Sequence, residues 1–364
     1  MAKRKAAPAG AGRQSKRTKR TTTKSTQSFL WRPNDWVVRR FITDDVSVLV
    51  SRSDQKRFII KKVAPNADDN SRPQEALVLS LLPECNRIVK PIFCSSLDPD
   101  PMHGTVLFQH YPLGDLTQWK KREFDEKNGK PVAESFIWRF FLQISQALAF
   151  LQNQIGPGRD ERRCFLHRDI KPDNILVVDN GTTYPSFKLH DFDAAIEYKK
   201  SEARVPTRCG TFQWQPPENP VINTRAAEIW ALGACVHFLA IGNAPHQHFG
   251  RWATALYNQN NQHPDSAQDY SHPAHYYSAR VPRQVTPINL SKAQQQGMGV
   301  GPDNYQYSDE LNNWMSQCLR RTPSRRPTAE RLVNGMGIVA QGMLKRMGGK
   351  NASVDLDVKF GVHA

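Results

Sequence analysis

Between Gly12 and Gly104 the chain contains no glycine. Any turn in that stretch that needs positive φ, or a backbone that must approach a ligand closely, has to manage without the residue best suited to it. Residues 1–28 lack acidic and aromatic side chains altogether and hold nine Lys or Arg. Such a segment cannot bury enough apolar surface to offset the entropy of ordering, so a disordered basic tail is expected there. The six cysteines, Cys85, Cys94, Cys164, Cys209, Cys235 and Cys318, form no CxxC pair. A reduced, intracellular chain without a disulfide framework or structural zinc is expected. The longest mostly apolar run, Ile229 to Ile241, is interrupted by His237 and falls short of the roughly 20 residues that span a bilayer. No membrane partner is expected, and the N-terminus lacks the apolar core of a secretory signal.

What remains is a 364-residue chain, 39% hydrophobic, with room for one large domain or two smaller ones. The net charge is +16, and the tail leaves only +7 of it to the other residues. Within the tail, Lys3-Arg4-Lys5 and Lys16-Arg17-Thr18-Lys19-Arg20 stand ten residues apart. That layout resembles a bipartite nuclear-import signal, which implies an import receptor as a partner of residues 3–20 and a nuclear location. A generic polyanion-binding or solubilising tail is the alternative. The rest of the chain shows no interleaved aromatic and basic motif, so direct nucleic-acid binding is not expected beyond the tail.

Order is expected from Phe29-Leu30-Trp31 onward. Trp36 to Val38, Val46 to Val50 and Phe58 to Val63 are β-prone runs with short polar connections, as in an antiparallel meander. Ser71-Arg72-Pro73-Gln74 reads as a capping box opening a helix through Glu75 to Leu82. Two further strands are expected at Arg87 to Phe93 and Thr105 to Phe108. Helices then dominate. Phe136, Phe140, Ile144, Leu148 and Leu151 recur at helical spacing, and Ile229 to Ile241 is apolar nearly all round, as a central buried helix would be. Leu311 to Leu319 and Thr328 to Val333 mark two more. The order describes a small β-rich lobe followed by a larger helical one, with a cleft near residues 108–115.

The densest concentration of chemistry is "HRDIKPDN", residues 167–174, set between Phe165-Leu166 and Ile175-Leu176-Val177-Val178. The latter run, the turn signal Asp179-Asn180-Gly181 and Phe187-Lys188-Leu189 predict a hairpin. A hairpin brings the start of its first strand beside the end of its second, so Asn174 is expected beside Asp191, with Asp169 one loop away. A carboxamide oxygen and a carboxylate converging there form a hard-oxygen site suited to Mg²⁺.

"HRDIKPDN" followed by "DFD" resembles the catalytic loop and metal-binding segment of eukaryotic protein kinases. Other segments match the family in order: "FIIKK", "PQEALVLSLL", "CGTFQWQPPE", "EIWALGA" and "CLRRTPSRRPTAERL". The resemblance spans roughly residues 31–340. It implies an α+β, two-lobed kinase fold over 29–340, with an N-lobe of about 29–110, a C-lobe of about 111–340, and a tail over 341–364. It further implies a serine/threonine protein kinase that uses ATP and Mg²⁺ on protein Ser/Thr hydroxyls. Carried over position by position, Asp169 would orient the substrate hydroxyl and accept its proton, and Lys171 would neutralise the γ-phosphate. Asn174 and Asp191 would hold Mg²⁺. Lys61 would grip the α- and β-phosphates, tethered by Glu75. Strand alternation allows only one of Lys61 and Lys62 into the cleft, and Lys61 matches the family spacing. Thr211 would brace Asp169 and Lys171. Phe108 would be the gatekeeper, the backbone of Gln109 to Tyr111 would face adenine, and Asp115 would bond the ribose. His167 and Phe192 match a packing spine, and Arg326 would pair with Glu218.

Three departures from the family stand out. The expected GxGxxG segment reads "VVRRFITDDVSVLV", and counting back from Lys61 puts its glycine positions near Arg39, Phe41 and Asp44. Asp193 replaces the third residue of the usual Asp-Phe-Gly, and Glu228 replaces the aspartate that opens the central helix. Missing glycines weaken a phosphate cradle built from backbone amides, so a pseudokinase acting as a binding or scaffold module stands as the alternative function. Arg168 before Asp169 points to control by phosphorylation of the activation segment, with Thr207 the candidate. The stretch from Asn243 to Glu310, with His246, His248, His263, His272 and His275, reads as a solvated insert or docking surface rather than a metal site, because neither Cys nor carboxylate stands at ligand spacing.

Overall fold

The computed structural model describes residues 29–67, 72–127, 129–218, 221–298 and 305–361. The basic tail and its two Lys/Arg clusters lie outside them. Five antiparallel strands build the first lobe: β1 (Trp36–Phe41), β2 (Val46–Ser51), β3 (Phe58–Pro65), β4 (Pro91–Asp100) and β5 (His103–Gln109), in the order β1-β2-β3-β5-β4. The sheet separates its apolar side chains by parity. Trp36, Leu49, Ile59 and Leu107 form an outer cluster, while Val106 and Phe108 join the main core with Ala76, Val78 and Leu79.

Helix α1 (Gln74–Ser80) crosses between β3 and β4. Ser71, expected to cap it, lies outside the described residues, and Pro73 stands at the N-cap position without a side-chain cap. Seven residues are too few for a helix to hold itself in water, so tertiary partners fix it. The Lys90 ammonium donates to the carbonyls of Leu79 and Leu82 at its C-terminal end, and Gln74 Nε2 donates to Ala195 O at 3.0 Å. The strand expected from Arg87 begins at Pro91; Arg87 is a fully buried loop residue.

The second lobe continues with α2 (Leu116–Lys120), α3 (Glu134–Leu151), β6 (Phe165–Leu166), β7 (Ile175–Val178), β8 (Ser186–Leu189) and β9 (Ile196–Glu197). Then follow α4 (Arg225–Ile241), α5 (Phe249–Asn260), α6 (Pro273–Arg280), α7 (Lys292–Gly297), α8 (Asp309–Cys318), α9 (Ala329–Arg331) and α10 (Gly337–Ala352). Helices α3 and α4 are the core; every α3 residue but Phe136 is buried. Gly233 lets α4 and α8 touch, because a Cβ there would stand 2.8 Å from the Cβ of Cys318. The two lobes, one β-rich and one helical, have the architecture that the sequence resemblance implies. Among the described residues no helix is long and apolar enough to cross a membrane.

The stretch read from sequence as a tail after residue 340 is packed. Beyond α10, residues 353–361 run back along α3 to the loop between α1 and β4. Arg87 donates to Asp355 Oδ2 (2.9 Å) and to the carbonyls of Asp355 (2.6 Å) and Asp357 (2.9 Å). Gln143 and Gln146 of α3 donate to the carbonyls of Asp355 and Leu356, and Phe360 stacks on Phe150.

Candidate active site

Between the lobes lies a cavity of about 550 Å³, lined by β1 to β3, the 108–115 connection and the far end of the β7–β8 hairpin. The hairpin forms as expected, with Ile175 opposite Leu189. One step beyond, His190 N donates to Asn174 O at 3.1 Å, which sets Asn174 beside Asp191. Phe192 is buried edge-on against His167, with ring centroids 4.8 Å apart. Its N–H donates to Glu75 Oε1 at 3.0 Å. That anchoring turns the neighbouring Asp191, at φ 65°, into the cleft.

The lysine in the cleft is Lys62, not Lys61. Its Nζ stands 2.9 Å from Glu75 Oε2, 2.9 Å from Asp191 Oδ1 and 2.7 Å from Asp193 Oδ2. Lys61 points to the opposite face, 3.9 Å from Asp98 on β4. The parity follows from the sheet. Lys61 shares its face with Ile59 and the outer cluster, whereas Lys62 shares its face with Ile60, which pairs with the inward-facing Phe108. "FIIKK" hides this choice, since both isoleucines are apolar and local alternation gives no parity. Moving the anchor by one residue also moves the glycine-loop positions, from Arg39, Phe41 and Asp44 to Arg40, Ile42 and Asp45. Those three line the cavity and the first three do not. The N–H groups of Ile42 and Thr43 close the turn onto Val46 O, at 2.7 and 3.2 Å.

Electrostatics tie these groups together. Burial works against the Lys62 ammonium, but Glu75, Asp191 and Asp193 outweigh it and raise its pKa. Burial disfavours the Asp191 carboxylate, yet Lys62 holds its pKa below the ordinary value.

Beside the cavity, the Asp169 carboxylate is held from three sides. Thr211 N donates to Oδ1 at 2.8 Å, Asn174 Nδ2 to Oδ2 at 3.0 Å, and Lys171 Nζ stands 3.1 Å from Oδ2. Lys171 also donates to Thr211 Oγ1 at 2.8 Å. Gly210, at φ +71°, permits this approach, since a Cβ would lie 2.6 Å from Arg168 O. The loop is fixed from beneath by buried Glu228, whose Oε1 accepts from His167 N and from Arg168 N (3.1 Å), while Gln152 donates to its Oε2 (3.2 Å). Burial pushes the Glu228 carboxyl up to about 7.

Phe108, Gln109, His110, Tyr111 and Asp115 all line the cavity, with Asp173 and His190, to which sequence reasoning gave no role there. Asp115 also caps α2 by accepting from Gln118 N at 2.8 Å. Arg326 grips Glu218 with both terminal nitrogens, at 2.5 and 2.7 Å. Arg168 Nη1 reaches Asn223 Oδ1 at 3.3 Å, and Asn223 Nδ2 donates to Thr207 Oγ1 at 2.8 Å. In the insert, His248 and His272 cap α5 and α6. Arg283 is buried and donates to the carbonyls of Phe212 (2.6 Å) and Gln215 (2.7 Å), fastening the end of the activation segment. Among the described residues, the only grouping of three side chains able to share a cation is Glu75, Asp191 and Asp193.

The protein kinase domain model matches residues 44–336. A probable serine/threonine-protein kinase of Saccharomyces cerevisiae, FMP48, is 26% identical over 211 residues, covering 51% of this chain and 53% of that protein. The mouse serine/threonine-protein kinase Nek3 is 26% identical over 290 residues, 79% of this chain and 45% of that protein. A calcium/calmodulin-dependent protein kinase kinase of Caenorhabditis elegans is 30% identical over 154 residues, 41% of this chain and 25% of that protein. The chain thus spans about half or less of the length of these relatives. With the matched domain laid over the two lobes and the cleft between them, the chain belongs to the eukaryotic protein kinase superfamily.

Proposed function

We propose that the protein is a serine/threonine kinase that transfers the γ-phosphate of ATP to a protein hydroxyl. The observation that carries this reading is the Lys62 ammonium bridging Glu75 of one lobe to Asp191 of the other, with the braced Asp169 carboxylate alongside. Phosphoryl transfer needs positioning and charge neutralisation more than covalent chemistry, and both are present in side chains. Asp169 orients the substrate hydroxyl and takes its proton. Lys171 answers charge on the transferred group, and Thr211 keeps the two in register. Lys62 holds the α- and β-phosphates; Phe108, the Gln109–Tyr111 backbone and Asp115 bound the nucleoside end. The residues suit Mg²⁺: Asp191 offers a carboxylate, and Asn174 commits its amide N–H₂ to Asp169, leaving its oxygen as the acceptor end. Mg²⁺ would be held by these two and would supply neutralisation of phosphate charge.

The turn amides spent on Val46 O favour a second reading, a pseudokinase that binds partners on this fold. Transfer of labelled γ-phosphate to a generic Ser/Thr substrate separates the two. The parent protein should label it, and Asp169→Ala and Lys62→Met should each lose about 100-fold or more, as loss of one preorganised electrostatic group does. Lys61→Met should stay within about threefold, because a partly exposed pair at 3.9 Å contributes little. No transfer by the parent or by Thr207→Glu, with nucleotide still bound, would favour the pseudokinase. For the tail we propose nuclear import through residues 3–20, resting on its two basic clusters.

A further inference from the structure

An ammonium has three N–H donors and no more. In this cleft all three Lys62 donors face carboxylates, those of Glu75, Asp191 and Asp193, and the Asp193 contact is the shortest. Glu75 is buried and anchored also by Phe192 N, and Asp191 is held by the hairpin end. Asp193 is different, with a side chain about half exposed and Lys62 as its ion-pair partner. It stands at the position where the kinase motif carries a glycine, which would offer Lys62 nothing. The chain therefore sets three negative charges around one positive charge where nucleotide phosphates must settle.

Taking the cleft as a nucleotide site, as proposed above, we infer that Asp193 is a built-in competitor for the phosphates. Its carboxylate occupies the third N–H of Lys62 and has to be displaced before a phosphate oxygen can take that donor. Paired with Lys62, Asp193 already stands where its ligand oxygen and those of Glu75 and Asp191 lie within 4.8 Å of one another, close enough to share a cation. A divalent cation arriving with the nucleotide gives Asp193 a new partner, whereas bare nucleotide leaves it facing phosphate. Asp193 thus makes nucleotide affinity depend on the metal more steeply than Asp191 and Asn174 alone would. It acts through Lys62 as a positioning residue.

The test is calorimetric titration of the full chain with ADP, in EDTA and in millimolar MgCl₂, for the parent, Asp193→Asn and Asp193→Gly. The asparagine variant removes one half-exposed charge and should melt with the parent. Without metal, both variants should bind ADP about tenfold more tightly than the parent, the effect of one charge at close range in a partly wet site. With Mg²⁺ the three should agree within about threefold, so the gain from metal is largest in the parent. Asp98→Asn is the control. It removes the same charge from the sheet that carries Lys62, on the Lys61 face and away from the cavity, and should move metal-free affinity by less than threefold. Equal metal-free affinity in the parent and Asp193→Asn, or an equal gain in Asp98→Asn, overturns the role of Asp193 and leaves the kinase reading standing. Absence of ADP binding in every protein, with and without Mg²⁺, overturns both.

Discussion

Glu228 carries more consequence than one methylene suggests. Its carboxylate is buried with two backbone N–H groups and an amide as hydrogen-bond partners, and burial lifts its pKa to about 7 from an ordinary 4.5. The folded protein therefore binds this proton more readily than the unfolded chain does. By linkage the group favours folding most below about pH 4.5, and that contribution falls as pH rises through 7, by at most about 3 kcal/mol. Gln152 Oε1 beside it is buried without a hydrogen-bond partner, so a side chain able to donate there has somewhere to donate. Glu228→Gln should remove the slope. In urea titrations, the parent should lose stability relative to the variant between pH 5 and pH 8. A difference that stays constant across that range would mean Glu228 ionises normally. The same scale explains Lys62: a single step in pleat parity decides which lysine meets Glu75.

At the scale of elements, α1 and the 353–361 segment depend on each other. Helix α1 carries Glu75 but is too short to fix its own position. The loop that follows it is clamped through Arg87, whose guanidinium is wholly buried and answered by Gln146, Asp355 and two C-terminal carbonyls. On the other side, Lys359 N and Asn86 Oδ1 bond at 2.8 Å, and Gly361 N donates to Glu84 O. Deleting residues 353–364 strips a buried cation of its counter-charge, a loss of about 3–5 kcal/mol. Thermal unfolding of the truncated chain should show a large drop in Tm. An unchanged Tm would mean that Arg87 finds other partners and that the segment is ornamental to the fold.

Across the whole molecule, charge and architecture divide the labour. Nine of the sixteen net positive charges sit in a segment of 28 residues with no acid, whereas the cleft gathers Asp45, Asp115, Asp173, Asp191 and Asp193 on its walls. The basic segment should then serve location and the cleft chemistry, separably. Removing residues 1–28 should leave Tm and phosphate transfer within error while lowering the nuclear-to-cytoplasmic ratio of a fluorescent fusion. Replacing Lys16, Arg17, Lys19 and Arg20 by alanine should do the same. A fusion that still accumulates in the nucleus after both changes would assign import to some other part of the chain.

Much of this was readable from residues alone, because it rests on local patterns. Period-two and period-3.6 runs gave the meander, the hairpin and the α3 stripe, and an all-round apolar run gave α4. The hairpin in turn set Asn174 beside Asp191 without any long-range knowledge. The charged loop at 167–174 was conspicuous because apolar strands flank it. Tertiary structure alone decided three things. It chose Lys62 over Lys61, since the face a strand residue takes depends on what packs against each side of the sheet, and "FIIKK" is apolar on both. It turned Asp193 from a missing glycine into a third ligand of the same ammonium. It made a core element of the C-terminal segment, because a stretch such as Asp355-Leu356-Asp357 contributes carbonyls and one carboxylate that matter only once buried Arg87 arrives from 268 residues away.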